Sequence, residues 1–434
     1  MKRLFILLIS FVMLASCATS DAGNADSSTG SNGTAQPEAS GSGDNEFAGM
    51  TVRVSDPLFS AGAELITPDP SHYRVGGLFD YTKLSQLSGM NIEVHGFTDE
   101  NRTLKILAED SDIDIYFFFH DDAKYILDNN LVSPIDSDII DEFNSKTFEA
   151  LQKVCVDENG NTVMMPLEYS ILSLFVPKQA VEELGLTAQN IEYWEDFYNY
   201  LTNYNGSRKS YGNGFNLFHL IEMQYHYYNC DLENGEFDYD NEDLRRLYET
   251  LLGNWVFDGS GYDPPYFLNI HLNNYDPDEN LFDLNVISSY LSLFDSENNE
   301  MRSQEFVTFP VPKYDENVEK NLVTMAAFAY INPYSENKEA AVKLLETIAE
   351  NYFSIISRNC MYFIFSDTSM YPETIDTESQ LFKDFIKISD NSEMLFYDFD
   401  DVVSDIDWQY AYHELTLDEA IAERARVVDI KLNE

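Results

Sequence analysis

Apolar positions along the chain repeat with two periods, and the switches between them mark out the elements. Residues 50–55 (MTVRVS) alternate and predict a first strand; 79–87 carries a helical repeat closed by Gly89; 91–96 predicts a second strand. Leu104, Leu107 and Ala108 form the stripe of a second helix with Asp99 as N-cap, and Asp114–Phe119 (DIYFFF) predicts a third strand. Strand, helix, strand, helix, strand in that order implies a parallel sheet with right-handed crossovers.

The stretch 160–186 (GNTVMMPLEYSILSLFVPKQAVEELGL) is read as the place where two halves of the molecule meet. Its apolar runs, one ending at Met164-Met165-Pro166 and one from Ile171 to Val176, have no polar alternation and predict strands covered on both faces. Pro177 and Gly185 then frame a helix with Val181 and Leu184 on one side.

Helical stripes follow at Trp194/Phe197/Tyr198/Leu201, at Leu217/Leu220/Ile221/Tyr228, and at Leu244/Leu247/Tyr248/Leu251 behind Asn241 as cap. Residues 279–294 fit either a helix or strands. Strands are predicted at 305–310 and 323–331, then a helix with Ala341, Leu344, Leu345 and Ile348 inside and Ser335 as cap. Near the end, Thr416-Leu417-Asp418-Glu419 is a capping box ahead of the stripe Ile421, Ala425, Val428, Leu432.

The first residues, Met1-Lys2-Arg3 and the apolar run Leu4–Leu14, have the form of a secretory signal and are too short to span a membrane. Leu14-Ala15-Ser16-Cys17 resembles the lipobox of bacterial lipoproteins, which implies that Cys17 is lipidated, with acyl chains such as palmitate, and becomes the mature N-terminus. Residues 18–46 are almost all Ala, Ser, Thr, Gly, Asn, Asp and Gln. Such a segment cannot bury enough surface to fold, and as a tether it reaches roughly 30 Å. Two or more acyl chains suffice for stable anchoring.

Of 434 residues, 76 are acidic and 26 basic, a formal charge of −50. Repulsion on that scale opposes nucleic acid and anionic lipid surfaces, so nucleic-acid binding is set aside. The acids are spread along the chain, as on a strongly solvated surface. Beyond Cys17 there are Cys155, Cys230 and Cys360, which permit at most one intramolecular disulfide and have no metal spacing. His219, Glu222 and His226 share a helix, but no further ligand is evident, and no metal or cofactor is expected.

Several of these segments resemble the extracellular solute-binding proteins of bacterial ABC importers, in the carbohydrate group that includes the maltose-binding type. The points of resemblance are Leu104–Asp110 followed by the Asp-Ile-Tyr strand, His120-Asp121, Tyr125–Ile135, the 160–186 stretch, Tyr193-Trp194-Glu195, the turn Ser335-Glu336-Asn337-Lys338, and the closing helix. The chain has Val176-Pro177 where the family has Tyr-Asn, and Met325-Ala326-Ala327 where it has glycines.

The resemblance implies an α/β fold of two lobes, periplasmic-binding-protein-like, with a hinge and a ligand cleft between the lobes. The expected division is a signal at 1–16, a tether at 17–46, lobe 1 at 47–165 and again at 308–355, and lobe 2 at 166–307 and at 356–434. It also implies capture of a sugar or oligosaccharide, delivery to ABC permease subunits at the outer face of the cell membrane, and a monomer with no enzymatic activity. Pyranose faces rest on aromatic rings and hydroxyls need carboxylate or amide acceptors.

The candidate ligand residues are Asp56 after the first strand, His120 and Asp121 where maltose-type members carry His-Asp, and Glu168 and Tyr169 on the crossing strand. Trp255, in a loop rich in Gly and Pro, and Trp408 and Tyr410, before the last helix, complete the set. Each has a structural alternative: Asp121 as an N-cap, the aromatics as core. An exported glycoside hydrolase would need two carboxylates flanking the scissile bond, and no pair stands out among the acids. A peptide-binding or sensory receptor would share the fold.

Overall fold

The structure is a computed structural model that describes residues 46–57, 64–66, 77–96, 104–120, 123–187, 191–203, 214–232, 241–253, 283–286, 306–323, 325–356, 363–394, 396, 400–411 and 413–433. Cys17, the signal, the tether, Asp121, Trp255 and Cys360 lie outside them.

Strands β1 (Thr51–Ser55), β2 (Glu64–Ile66), β3 (Asn91–His95), β4 (Ile115–Phe119), β5 (Met165–Ser170) and β10 (Met325–Ile331) form a six-stranded sheet in the order β2-β3-β1-β4-β10-β5. β1 is parallel to β3 and β4, as the alternation of strands and helices predicts. β10 runs antiparallel to β4 and β5, so the sheet is mixed, and β2 is an antiparallel edge strand. A strand with returning direction needs no helical crossover.

Helix Tyr81–Ser88 starts where the Asp80 carboxylate accepts from the Lys83 amide and ends at Gly89, whose φ of 71° is easiest for glycine. Helix Lys338–Ile355 lies against it and against β1 and β10. Its N-cap is Asn337, not the expected Ser335; the Ser335 hydroxyl instead donates to the buried Asp114 carboxylate at 2.6 Å. Helices Asp138–Ser145, Glu149–Val154 and Gln380–Asp390 also pack on this sheet's core.

A second sheet joins β6 (Leu172–Pro177) to β7 (Asp283–Val286) and β8 (Phe306–Pro310), both antiparallel to it in the order β7-β6-β8. Within the ambiguous 279–294, residues 283–286 are therefore strand. Around this sheet pack helices Lys178–Leu184, Trp194–Asn203, Gly214–Asn229, Glu242–Leu247, Asp400–Ala411 and Leu417–Asn433. The capping box at Thr416 forms, with Thr416 N–H donating to Glu419 at 2.9 Å and Glu419 N–H to the Thr416 hydroxyl at 3.3 Å.

Buried apolar side chains fall into two clusters, one per sheet. Among the described residues the chain passes from one to the other after Ile171, along β6, where Leu174 and Val176 face the second cluster and Phe175 still the first; it passes back between Val318 and Val323, and over again between Met394 and Val403. The passages lie later than the expected boundaries at 165, 308 and 356. The last difference is large: Phe363, Phe365, Phe382, Phe385 and Met394 fill the first core, because helix Gln380–Asp390 turns its apolar stripe onto it. The second and third passages are tied together by β9 (Asn321–Val323) and β11 (Ser392–Met394), a parallel pair.

Candidate functional site

Since β10 is antiparallel to both β4 and β5, those two run the same way as β1 and β3. One edge of the large sheet therefore collects the C-terminal ends of β1, β3, β4 and β5 with the start of β10. Ligands of open α/β sheets bind at such an edge. It is also the edge from which β5 leaves for β6 and the second lobe.

Three of the predicted residues stand on it. Asp56 follows β1 and is fully buried; one carboxylate oxygen accepts from the Leu78 amide at 2.7 Å and the Tyr81 hydroxyl at 2.5 Å. It thereby fixes the entry into helix Tyr81–Ser88. Glu168, also fully buried, faces Ala327 across the ladder, and Ala327 in turn faces Phe119 at the end of β4. His120, 5% exposed, ends β4, and its Nδ1 accepts the Ala326 amide at 3.4 Å. The residues of β10 at 326, 327 and 329 are alanines, all buried between β4 and β5.

Two others are placed in cores. Tyr169 points to the opposite face from Glu168, its ring 5.0 Å from Phe148 and its hydroxyl 3.1 Å from Ser392. Burial pushes its phenol pKa up. Tyr410 lies ahead of the last helix as expected, but within helix Asp400–Ala411, and it packs edge-on to Tyr248 in the second core. Trp408 is on the same helix.

A polar cluster lies inside the second lobe, of which sequence reasoning saw His219, Glu222 and His226 but not Arg424, Asp407 or Tyr248. Arg424, from the last helix, is hydrogen-bonded to Glu222 and Asp407, all three buried, and stacks over Tyr248 and Phe218. Tyr248 donates to Glu222 at 2.7 Å, His226 Nε2 lies 3.3 Å from the same oxygen, and His219 Nε2 lies 3.4 Å from Asp407. Burial raises the Glu222 carboxyl, but Arg424 and His226 outweigh it and hold it at about 2. Burial pushes Asp407 up to about 6 despite the same arginine. A guanidinium at the centre puts fixed positive charge where a cation would have to sit. The available signal was an arginine inside the apolar stripe of the closing helix, one residue before Ala425.

No protein-family model matches the chain, and no curated protein matches it. Solved structures do. The bacterial solute receptor AcbH, described as having an exclusive preference for β-D-galactopyranose, superposes with a TM-score of 0.58 at 10% identity over 90% of this chain and 98% of that one. The sugar-binding protein MalE of Xanthomonas citri gives 0.59 at 14% identity over 88% and 98%, and maltose-bound T. maritima MalE3 gives 0.55 at 13% over 88% and 100%. The chain has the two-lobed α/β fold of these receptors, with its hinge and inter-lobe cleft.

Proposed function

We propose that this protein is a solute-binding protein that captures a sugar or oligosaccharide between its lobes and passes it to an ABC permease. The observation that carries the reading is that Asp56, His120 and Glu168 all lie toward one edge of the large sheet, the edge from which β5 leaves for the second lobe. Carboxylates there accept from sugar hydroxyls, and the edge lies where the fold places its cleft. A ligand held by both lobes contacts them together only in the closed form, so it shifts the population toward closure by its differential affinity. The similar structures, a receptor that prefers β-D-galactopyranose, a sugar-binding protein and a maltose-bound protein, agree with this choice of ligand class.

Lipid attachment at Cys17, with residues 18–46 as the tether, would hold the protein at the outer face of the membrane near its permease. Labelling with a fatty-acid probe that disappears in Cys17→Ala tests the anchor. Melting-temperature shifts with mono- and oligosaccharides, run beside a reducing-end assay, test the function. Stabilisation without turnover supports capture; reducing ends accumulating with time would make the protein a glycoside hydrolase, and stabilisation by peptides alone a peptide receptor.

A further inference from the structure

We infer that His120 reads the bound solute as a hydrogen-bond donor, contacting a sugar oxygen that acts as acceptor. The inference rests on the sugar-capture reading and adds the polarity of one contact. β4 and β10 are paired as far as Phe119 and Ala327; at the next position the ladder is continued by the His120 side chain, whose Nδ1 takes the Ala326 N–H at 3.4 Å. A ring nitrogen that accepts an N–H bears no proton, so in the neutral imidazole the proton sits on Nε2. Backbone geometry thus sets the tautomer.

Nε2–H is buried and has no hydrogen-bond partner among the described residues. Leaving a buried donor unsatisfied is unfavourable, since it has given up water and gained no partner. A ligand oxygen accepting from it removes that cost, which is the reason to assign the atom to binding. Asp56 and Glu168, on the same edge, only accept when ionised. Hydroxyl hydrogens of the sugar are therefore read by carboxylates, and one oxygen lone pair is read by His120.

Two substitutions separate the two ring nitrogens. In His120→Asn the amide oxygen stands in for Nδ1 and keeps the Ala326 bond, while nothing replaces Nε2. In His120→Gln the amide nitrogen takes the place of Nε2. Calorimetric titration uses the sugar that stabilises the unaltered protein, with its mono-deoxy and mono-fluoro analogues. The inference predicts that His120→Asn lowers affinity about tenfold or more while His120→Gln stays within about threefold. It also predicts one ring position where the deoxy sugar binds weakly to the unaltered protein, the fluoro sugar binds better, and His120→Asn abolishes the difference. Fluorine accepts but cannot donate. Equal affinity of His120→Asn and the unaltered protein, at matched melting temperature, overturns the inference with sugar capture intact. If His120→Asn does not fold, fluoro and deoxy analogues binding equally at every position does the same. No binding of any sugar overturns the capture reading itself, and this contact with it.

Discussion

Arg424 and Glu222, 202 residues apart in sequence, form a fully buried ion pair that fastens the closing helix to helix Gly214–Asn229. The Arg424 guanidinium also holds Asp407, and Tyr248 donates to Glu222, so most of the charge has a partner. A buried pair of this kind adds little net stability over a well-packed apolar pair, but breaking it strands a charge. Arg424→Ala is therefore expected to destabilise the protein by about 3–5 kcal/mol in urea denaturation, and Arg424→Met with Glu222→Gln to lose less than Arg424→Ala alone.

Proton binding in that cluster has two opposite signs. Glu222, held at about 2, contributes stability that is whole above its unfolded value of about 4.3 and is lost as the pH falls toward 2. Asp407, pushed up to about 6 by burial, contributes stability that is whole below about 4 and is lost as the pH rises through 6. Asp407→Asn removes the second effect, and the repulsion between Asp407 and Glu222 with it. Its stability relative to the unaltered protein should rise by about 3 kcal/mol between pH 4 and pH 7. A difference that stays flat over that range contradicts the assignment.

Tyr228, on a helix of the second lobe, reaches the paired strands of the other two passages. Its hydroxyl accepts the Lys320 amide at 3.1 Å and lies 3.3 Å from the Glu393 carboxylate, which also raises its phenol pKa after burial has done so. Tyr228→Phe is expected to cost about 1–2 kcal/mol and to speed hydrogen exchange at the Lys320 amide selectively. Unchanged exchange there would show that the hydroxyl is not what holds the strand.

The fold was legible where periodicity was strong. The order β1, helix Tyr81–Ser88, β3, β4, the two apolar runs at the first passage, Gly89 and Gly185 as helix stops, and the capping box at Thr416 could all be read from local chemistry; the stripe expected at Leu104, Leu107 and Ala108 was wrong, since those side chains are exposed and Ile106 is the buried one. What could not be read was long-range. The antiparallel direction of β10, the extra β2, and the return of residues 363–394 to the first core depend on partners far away in sequence. Of the candidate site, what was legible was that Asp56, His120 and Glu168 stand toward one edge of the sheet, because strand order sets where strands end. Tyr169 was not separable from them, since a one-residue step along a strand swaps faces. The link from His219, Glu222 and His226 to Asp407 and Arg424 was hidden because these residues come from three helices, each amphipathic on its own terms.

The most direct test of the central claim is isothermal titration of the protein with the sugars that raise its melting temperature. Capture in a single inter-lobe cleft predicts one saturable site per chain, weakened in Glu168→Gln and intact in Tyr410→Phe. No heat of binding with any sugar, or several equivalent sites insensitive to Glu168→Gln, would contradict it.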